Sequence, residues 1–247
     1  LQRTRPCRRA PEILQSRYRL CSRNSTADQG KRSTKIYPST AGVEPFLRYH
    51  VYHIKDLSRP GSAHLVKLAN DDITKQIQAA GQGVFGIFAS LFGLASNEIY
   101  LVTFGKTQTS LSFPDDVKLL STHLFNPTLR PLDHQPRTRP GVYVFRWFSV
   151  LPDAVDEIIQ LSYNAWPTFE GSFETEVQGL FVEATGQPSE MLLITWYKNL
   201  SVWEESRHPP ENARESFLRR HQLTLNAKPI ATMLTMPESQ SQLVSHA

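Results

Sequence analysis

The chain has 247 residues, 40% of them hydrophobic and 10% aromatic, enough to bury the core of one large domain or two small ones. Its formal charge of +4 is the balance of 27 basic and 23 acidic side chains. No run of eighteen uncharged apolar residues occurs, and the nearest approach, Val84 to Leu94, is short and broken by glycine, so no membrane-spanning helix is expected.

Residues 1–43 hold ten of the basic side chains and only two acids, Glu12 and Asp28. The rest of the chain therefore has 17 basic and 21 acidic residues, a balance of −4, which leaves no electrostatic footprint for nucleic acid. The first segment is rich in Arg, Ser and Pro and reads as a disordered basic leader. It has the composition of a mitochondrial transit peptide and equally that of an upstream stretch without a role of its own; the expected location is mitochondrial in the first case and cytoplasmic in the second. Both cysteines, Cys7 and Cys21, fall here, so the folded part has no thiol chemistry, as suits a reducing compartment.

From Phe46 the run FLRYHVYHIK predicts a first strand. After Arg59-Pro60-Gly61, the apolar residues Leu65, Ala69, Ile73 and Ile77 recur every four positions up to Gly81, the pattern of an amphipathic helix with a glycine stop. VFGIFASLFG and NEIYLVTFG then read as a strand pair. A second helix is expected near PDDVKLLSTHL and a last strand near TLRPL, with DHQPRTRPG as a linker.

The order restarts at Gly141. GVYVFRWFSV predicts a strand, and Pro152 followed by Asp153, Asp156 and Glu157 starts a helix that Pro167 is expected to end. VQGLFVEA and EMLLITWYK are the next two strands; Ser201 with Glu204 has capping-box spacing and opens a helix; ENARESFLRRHQL gives another helix and AKPIATML a closing strand. Gln82-Gly83-Val84-Phe85 parallels Gln178-Gly179-Leu180-Phe181, and EIYLVTF parallels EMLLITW. The fold class read from this repetition is α+β, with two tandem ferredoxin-like β-α-β-β-α-β repeats, 44–140 and 141–237, forming an α+β barrel ahead of a flexible tail at 238–247. Such a sheet has one bare face, and the aromatic strands are expected to fill the space where two bare faces meet, with Trp196, Tyr197 and Trp203 turning strand into helix and covering sheet edges.

The runs VYVFRWFSVLPDAVDEIIQLSYNAWPTFE, GLFVEA, LLITWYKNLSVWEESR and FLRRHQLT resemble the NIPSNAP-domain family. The likeness covers 142–234 and is weak over 44–140. It implies a dimeric α+β barrel fold, as an internal pseudo-dimer or a homodimer, and a role in binding or protein interaction. Other families with this barrel include small monooxygenases and haem-handling proteins, so the alternative it implies is a cofactor-independent or haem-using monooxygenase acting on an apolar or aromatic ligand.

The chemistry is sparse. Gly81, Gly83 and Gly86 spell G-x-G-x-x-G, but they leave a helix and enter a strand, the reverse of a dinucleotide site. His50 and His53 stand three apart on a strand and so face opposite ways, and no histidine has metal-ligand spacing; no metal is expected, and the only cofactor in view is haem, with His221 as its candidate ligand by analogy. Asn24-Ser25-Thr26 and Asn199-Leu200-Ser201 match the glycosylation sequon, with nothing to indicate secretion. The candidate ligand site is a polar set inside aromatic strands: Arg146 with Phe148, Glu183 with Phe181, and Thr195 with Tyr197. If each row faces the space between the sheets, Arg146 and Glu183 meet as an ion pair there, around a small apolar ligand; the same rows could equally be sheet edge or a register-fixing pair.

Overall fold

The computed structural model describes residues 47–107, 109–184 and 189–235. The expected leader (1–43) and tail (238–247), both cysteines and the Asn24 sequon lie outside these residues. Element order is β1 (Arg48–Asp56), α1 (Ala63–Leu68), a π-helical stretch (Ala69–Ile73), α2 (Thr74–Ala79), β2 (Gly83–Phe92), β3 (Glu98–Gly105) and β4 (Val117–Pro127). The second half follows as β5 (Val142–Val150), a 3-10 turn (Pro152–Ala154), α3 (Val155–Ser172), β6 (Thr175–Glu183), β7 (Ser189–Tyr197), α4 (Leu200–Glu205), α5 (Glu211–Gln222) and β8 (Thr224–Leu234).

The strands close into a barrel in the order β1-β3-β2-β8-β5-β7-β6-β4. Cut at its two seams, β2–β8 and β4–β6, this is twice the same sheet: β4-β1-β3-β2 and β8-β5-β7-β6 have the ferredoxin-like order, joined edge to edge. Every strand among the described residues has a partner on both sides, over only part of its length at the two seams, which reduces the pairing hazard of an open sheet. The bare faces look inward. Alternation sends Tyr49 and Val51 of β1, Tyr143 and Phe145 of β5, and Leu192, Ile194 and Trp196 of β7 into one buried cluster that fills the lumen. The opposite parity packs under helices: Tyr52, Ile54, Ile99 and Leu101 beneath α1 and α2, and Phe148, Val150, Met191 and Leu193 beneath α3.

The first helical region shows how its pattern is met. Apolar residues spaced by four drift around a helix of 3.6 residues per turn, and the wider π turn at Ala69–Ile73 takes up the drift. Leu65, Ala69, Ile73 and Ile77 are all buried as a result. Gly81, at φ +70°, ends the region as expected.

Three expectations are corrected. The segment read as a second helix in the first repeat is β4, paired with β1 from Tyr49–Phe125 to Asp56–Val117, and TLRPL lies outside any strand. Thr122, His123 and Phe125 suit a strand, and Leu119 and Leu120 remain partly exposed because no helix lies over them among the described residues. Pro167 does not end α3. It sits on the exposed side of the helix, between the buried Trp166 and Phe169 that hold this turn to the sheet. The helix after β7 is capped by Asn199, whose side chain accepts from the Val202 amide at 3.0 Å, while Ser201 donates to Glu205 instead.

The linker crosses one mouth of the barrel. The Arg137 guanidinium lies 4.6 Å over the Phe85 ring, and Arg139 lies over Trp196, whose indole N–H donates to the Pro140 carbonyl at 2.9 Å. The Tyr49 hydroxyl meets His134 Nδ1 at 2.9 Å. Trp196 therefore closes the lumen rather than covering a sheet edge.

Candidate functional site

Helices α3 and α5 lie together over the outer face of the second sheet, with Phe169 and Phe217 edge to face at 5.3 Å. Between this roof and the sheet is a cavity of about 560 Å3. Its floor is the outward parity of β5 and β7, including Arg146, Phe148, Leu193, Thr195 and Tyr197, and its roof includes Trp166, Phe169, Phe217 and Arg220. The size and the mixture of aromatic walls with a few polar groups are those of a small-molecule site.

The six residues singled out from the sequence are divided by the sheet. Arg146, Phe148, Thr195 and Tyr197 share this cavity. Phe181 instead belongs to the lumen cluster, and Glu183 meets His123 at 3.3 Å beside the Phe125 and Trp147 rings. The expected Arg146–Glu183 pair is thus corrected: the two side chains lie on opposite faces. A bulge between Val177 and Gly179 is the cause. It inserts one residue into β6, so Val177 faces the helices and Phe181 faces the lumen although both are odd-numbered.

Arg146, Arg207, Arg214 and Arg220 line the cavity together with His208 and His221, and no Asp or Glu lines it among the described residues. Arg220 is buried, donates to the Ser162 hydroxyl at 3.2 Å and stacks over Phe217 and Phe148. Burial, and next the Arg146 charge, push its pKa down to about 9. Arg146 is also pushed down by burial. Both remain cations at neutral pH, and both shifts run in the direction that burial and neighbouring positive charge dictate. Among the described residues no hydrogen bond is made by the Arg146 guanidinium, the Thr195 hydroxyl or the Tyr197 phenol, although Thr195 and Tyr197 are buried.

Sequence reasoning missed Arg220 and the aromatic roof. The signal was present: Ala213, Phe217 and Arg220 share one face of α5, which makes Arg220 a charge on an otherwise apolar stripe.

The same cavity is where haem would be tested. The basic groups suit porphyrin carboxylates and the rings suit its faces. An axial imidazole, however, is normally oriented through its second nitrogen, and the rings of His208 and His221 are exposed at the rim with no hydrogen bond among the described residues. These residues do not form a prepared haem ligand set.

Elsewhere, His50 and His53 do face opposite ways: His50 is buried with neither ring nitrogen bonded among the described residues, while His53 Nε2 meets Glu98 at 2.9 Å. Asp56, His64 and Asp116 come within metal-cluster distance. Asp56 is committed already, to Ser58, the Arg59 amide and His64 Nδ1 at 2.8 Å, which reads as a loop-fixing turn. Burial alone would raise its pKa, but these hydrogen bonds outweigh it and bring the carboxyl to about 2.

No family model matches the chain, and no curated protein does. Solved structures do. A candidate monooxygenase from Fusobacterium nucleatum is similar with TM-score 0.54 at 13% identity, over 78% of this chain and 94% of its own. A mutant chlorite dismutase from Candidatus Nitrospira defluvii is similar with TM-score 0.52 at 7% identity, over 81% and 96%. An anthrone oxidase-like protein gives 0.50 at 10% identity, over 76% and 92%. At these identities the shared property is the fold, the tandem ferredoxin-like α+β barrel.

Proposed function

We propose that this chain is a ligand-binding α+β barrel of NIPSNAP type whose working site is the cavity beneath α3 and α5. The observation that carries this reading is the set of unbonded polar groups, Arg146, Thr195 and Tyr197, facing a space of about 560 Å3. These polar atoms are not sealed into the packing but open onto the cavity, so a molecule that enters it meets donors that no protein acceptor occupies among the described residues. The lumen is occupied by a buried, largely aromatic cluster of the chain's own side chains. A small organic ligand suits this concave, roofed space better than a protein segment does. One chain closes its own barrel, so the site needs no second copy.

The test uses a neutral solvatochromic dye, Nile red. Ala227 lines the cavity from an accessible position, so Ala227→Phe fills it without displacing the core. We expect one dye per chain in the parent and at least tenfold weaker binding in Ala227→Phe. Absence of dye binding, or binding that Ala227→Phe leaves unchanged, overturns the reading.

A second reading, a cofactor-independent or haem-using oxygenase acting on an aromatic substrate, is favoured by the aromatic walls and by the fold shared with candidate monooxygenases. Oxygen uptake with an aromatic substrate, or a Soret band on titration with hemin, would support it.

A further inference from the structure

The structure assigns a charge to the missing ligand: we infer that the cavity takes an amphipathic anion, with its acidic head at Arg146 and its hydrocarbon or aromatic body against Phe148, Leu193 and Phe217. This rests on the cavity-binding reading and narrows its ligand class.

The argument is one of compensation. A buried cation is tolerated when an acid or a set of acceptors replaces its water. Arg220 has one neutral partner, Ser162, and two ring faces. Arg146 is half-buried in the cavity wall with no bonded partner among the described residues, and the Arg207 and Arg220 charges both oppose its own. The ion pairs formed by other arginines show that the chain supplies acids where a cation is structural: Arg130 is forked onto Glu170, and Arg219 meets Glu157 at 2.6 Å. Among the described residues that line the cavity there is no acid to do the same for Arg146 and Arg220. Arg207 and Arg214 stand exposed at its rim, where Glu211 and Glu215 line an adjoining depression with Arg214, so the uncompensated charge is at the inner wall.

The head group has further donors. The Thr195 hydroxyl and the Tyr197 phenol stand on β7 with outward parity, as does Leu193. A carboxylate or similar oxyanion accepts from a guanidinium fork and from both hydroxyls at once, whereas an ammonium head could not accept from any of them. The rings and Leu193 offer only apolar surface, so the remainder of the ligand is hydrocarbon or aromatic. A small inorganic anion would leave that surface unused.

The probes are decanoate, decan-1-ol and decylamine, which share one chain and differ in the head. Binding is measured by displacement of Nile red at neutral pH, with the parent, Arg146→Met and Arg146→Lys. We expect decanoate to bind at least tenfold more tightly than decanol, and decylamine to bind most weakly. Arg146→Met should cut decanoate affinity about tenfold or more while leaving decanol unchanged, since a charged hydrogen bond is worth about that factor. Arg146→Lys keeps the charge and should fall between the two. Without ligand, Arg146→Met should also melt at a higher temperature, because it removes a cation that lacks compensation. A purely structural arginine would give the opposite shift, and a lower melting temperature with unchanged decanoate binding overturns the inference. Equal affinity for decanoate and decanol overturns it too, while leaving the cavity-binding reading intact. If the dye binds but no probe displaces it, the inference falls and the cavity-binding reading stands; if the dye itself fails to bind, both fall.

Discussion

Asn199 holds an extended backbone at the end of β7, φ −159° and ψ −178°, and its side-chain oxygen accepts from the Val202 amide in the first turn of α4. Asn199→Ala should therefore cost about 1 kcal/mol in urea unfolding, and Ser201→Ala should cost less than about half of that, because Ser201 only reaches the exposed Glu205. The S-x-x-E spacing at Ser201 marked the right turn of chain but the wrong residue. Asn199 and Ser201 are both cap-formers, and the choice between them is made by the backbone where the strand stops, which composition does not encode. The cavity residues have the same character. That Arg146 and Phe148 share a face was legible from alternation, and so was the pairing of Thr195 with Tyr197. Which face that is depends on where the helices lie. The misplacement of Glu183 has a more local origin, the single extra residue in β6.

At the scale of the element, the bulges are tied to glycine. Both β2 and β6 shift register just before a glycine, Gly86 in one and Gly179 in the other, and each glycine lies under the ring of the phenylalanine two residues on. A Cβ on Gly179 would come within 2.2 Å of the Phe181 ring, and one on Gly86 within 2.5 Å of the Phe88 ring. Gly179→Ala is expected to destabilise by about 1–3 kcal/mol as the ring is forced from its place in the lumen. Gly61→Ala, where a Cβ meets nothing within 4 Å, is the control and should melt like the parent. These glycines also give a better alignment of the repeats than Gly83 with Gly179, since they match in bulge, ring and position. The strands and the repeat were legible because alternation and turn residues are local signals. The fate of 117–127 was not, since LSTHLF can satisfy either helix or strand and pairing with β1 decided it. Pro167 misled for a related reason: burial on either side of it outweighs one lost backbone hydrogen bond.

The whole molecule is held unevenly. Within the second repeat β5 and β7 pair over nine residue positions, whereas β4–β6 pairs over three and β2–β8 over four. Local opening follows the least-bonded lines, so amides at the seams, such as Thr128 and Ala184, should exchange with deuterium faster than those of Phe145 and Ile194. Uniform protection around the barrel would contradict this. The seams also set an order of events during synthesis. The lumen cluster draws Tyr49, Phe85, Phe88 and Tyr100 from the first repeat and Phe145, Leu192, Ile194 and Ile230 from the second, so neither repeat owns a finished core. β8, which carries Ile230, is inserted between β2 and β5 and is the final strand of the barrel to leave the ribosome. Until it does, the edge of β2 stays open and the lumen lacks Ile230. More than a hundred residues are translated between the end of β4 and the end of β8, and over that stretch the aromatic face of the first repeat lacks part of its cover and offers the apolar surface that chaperones recognise.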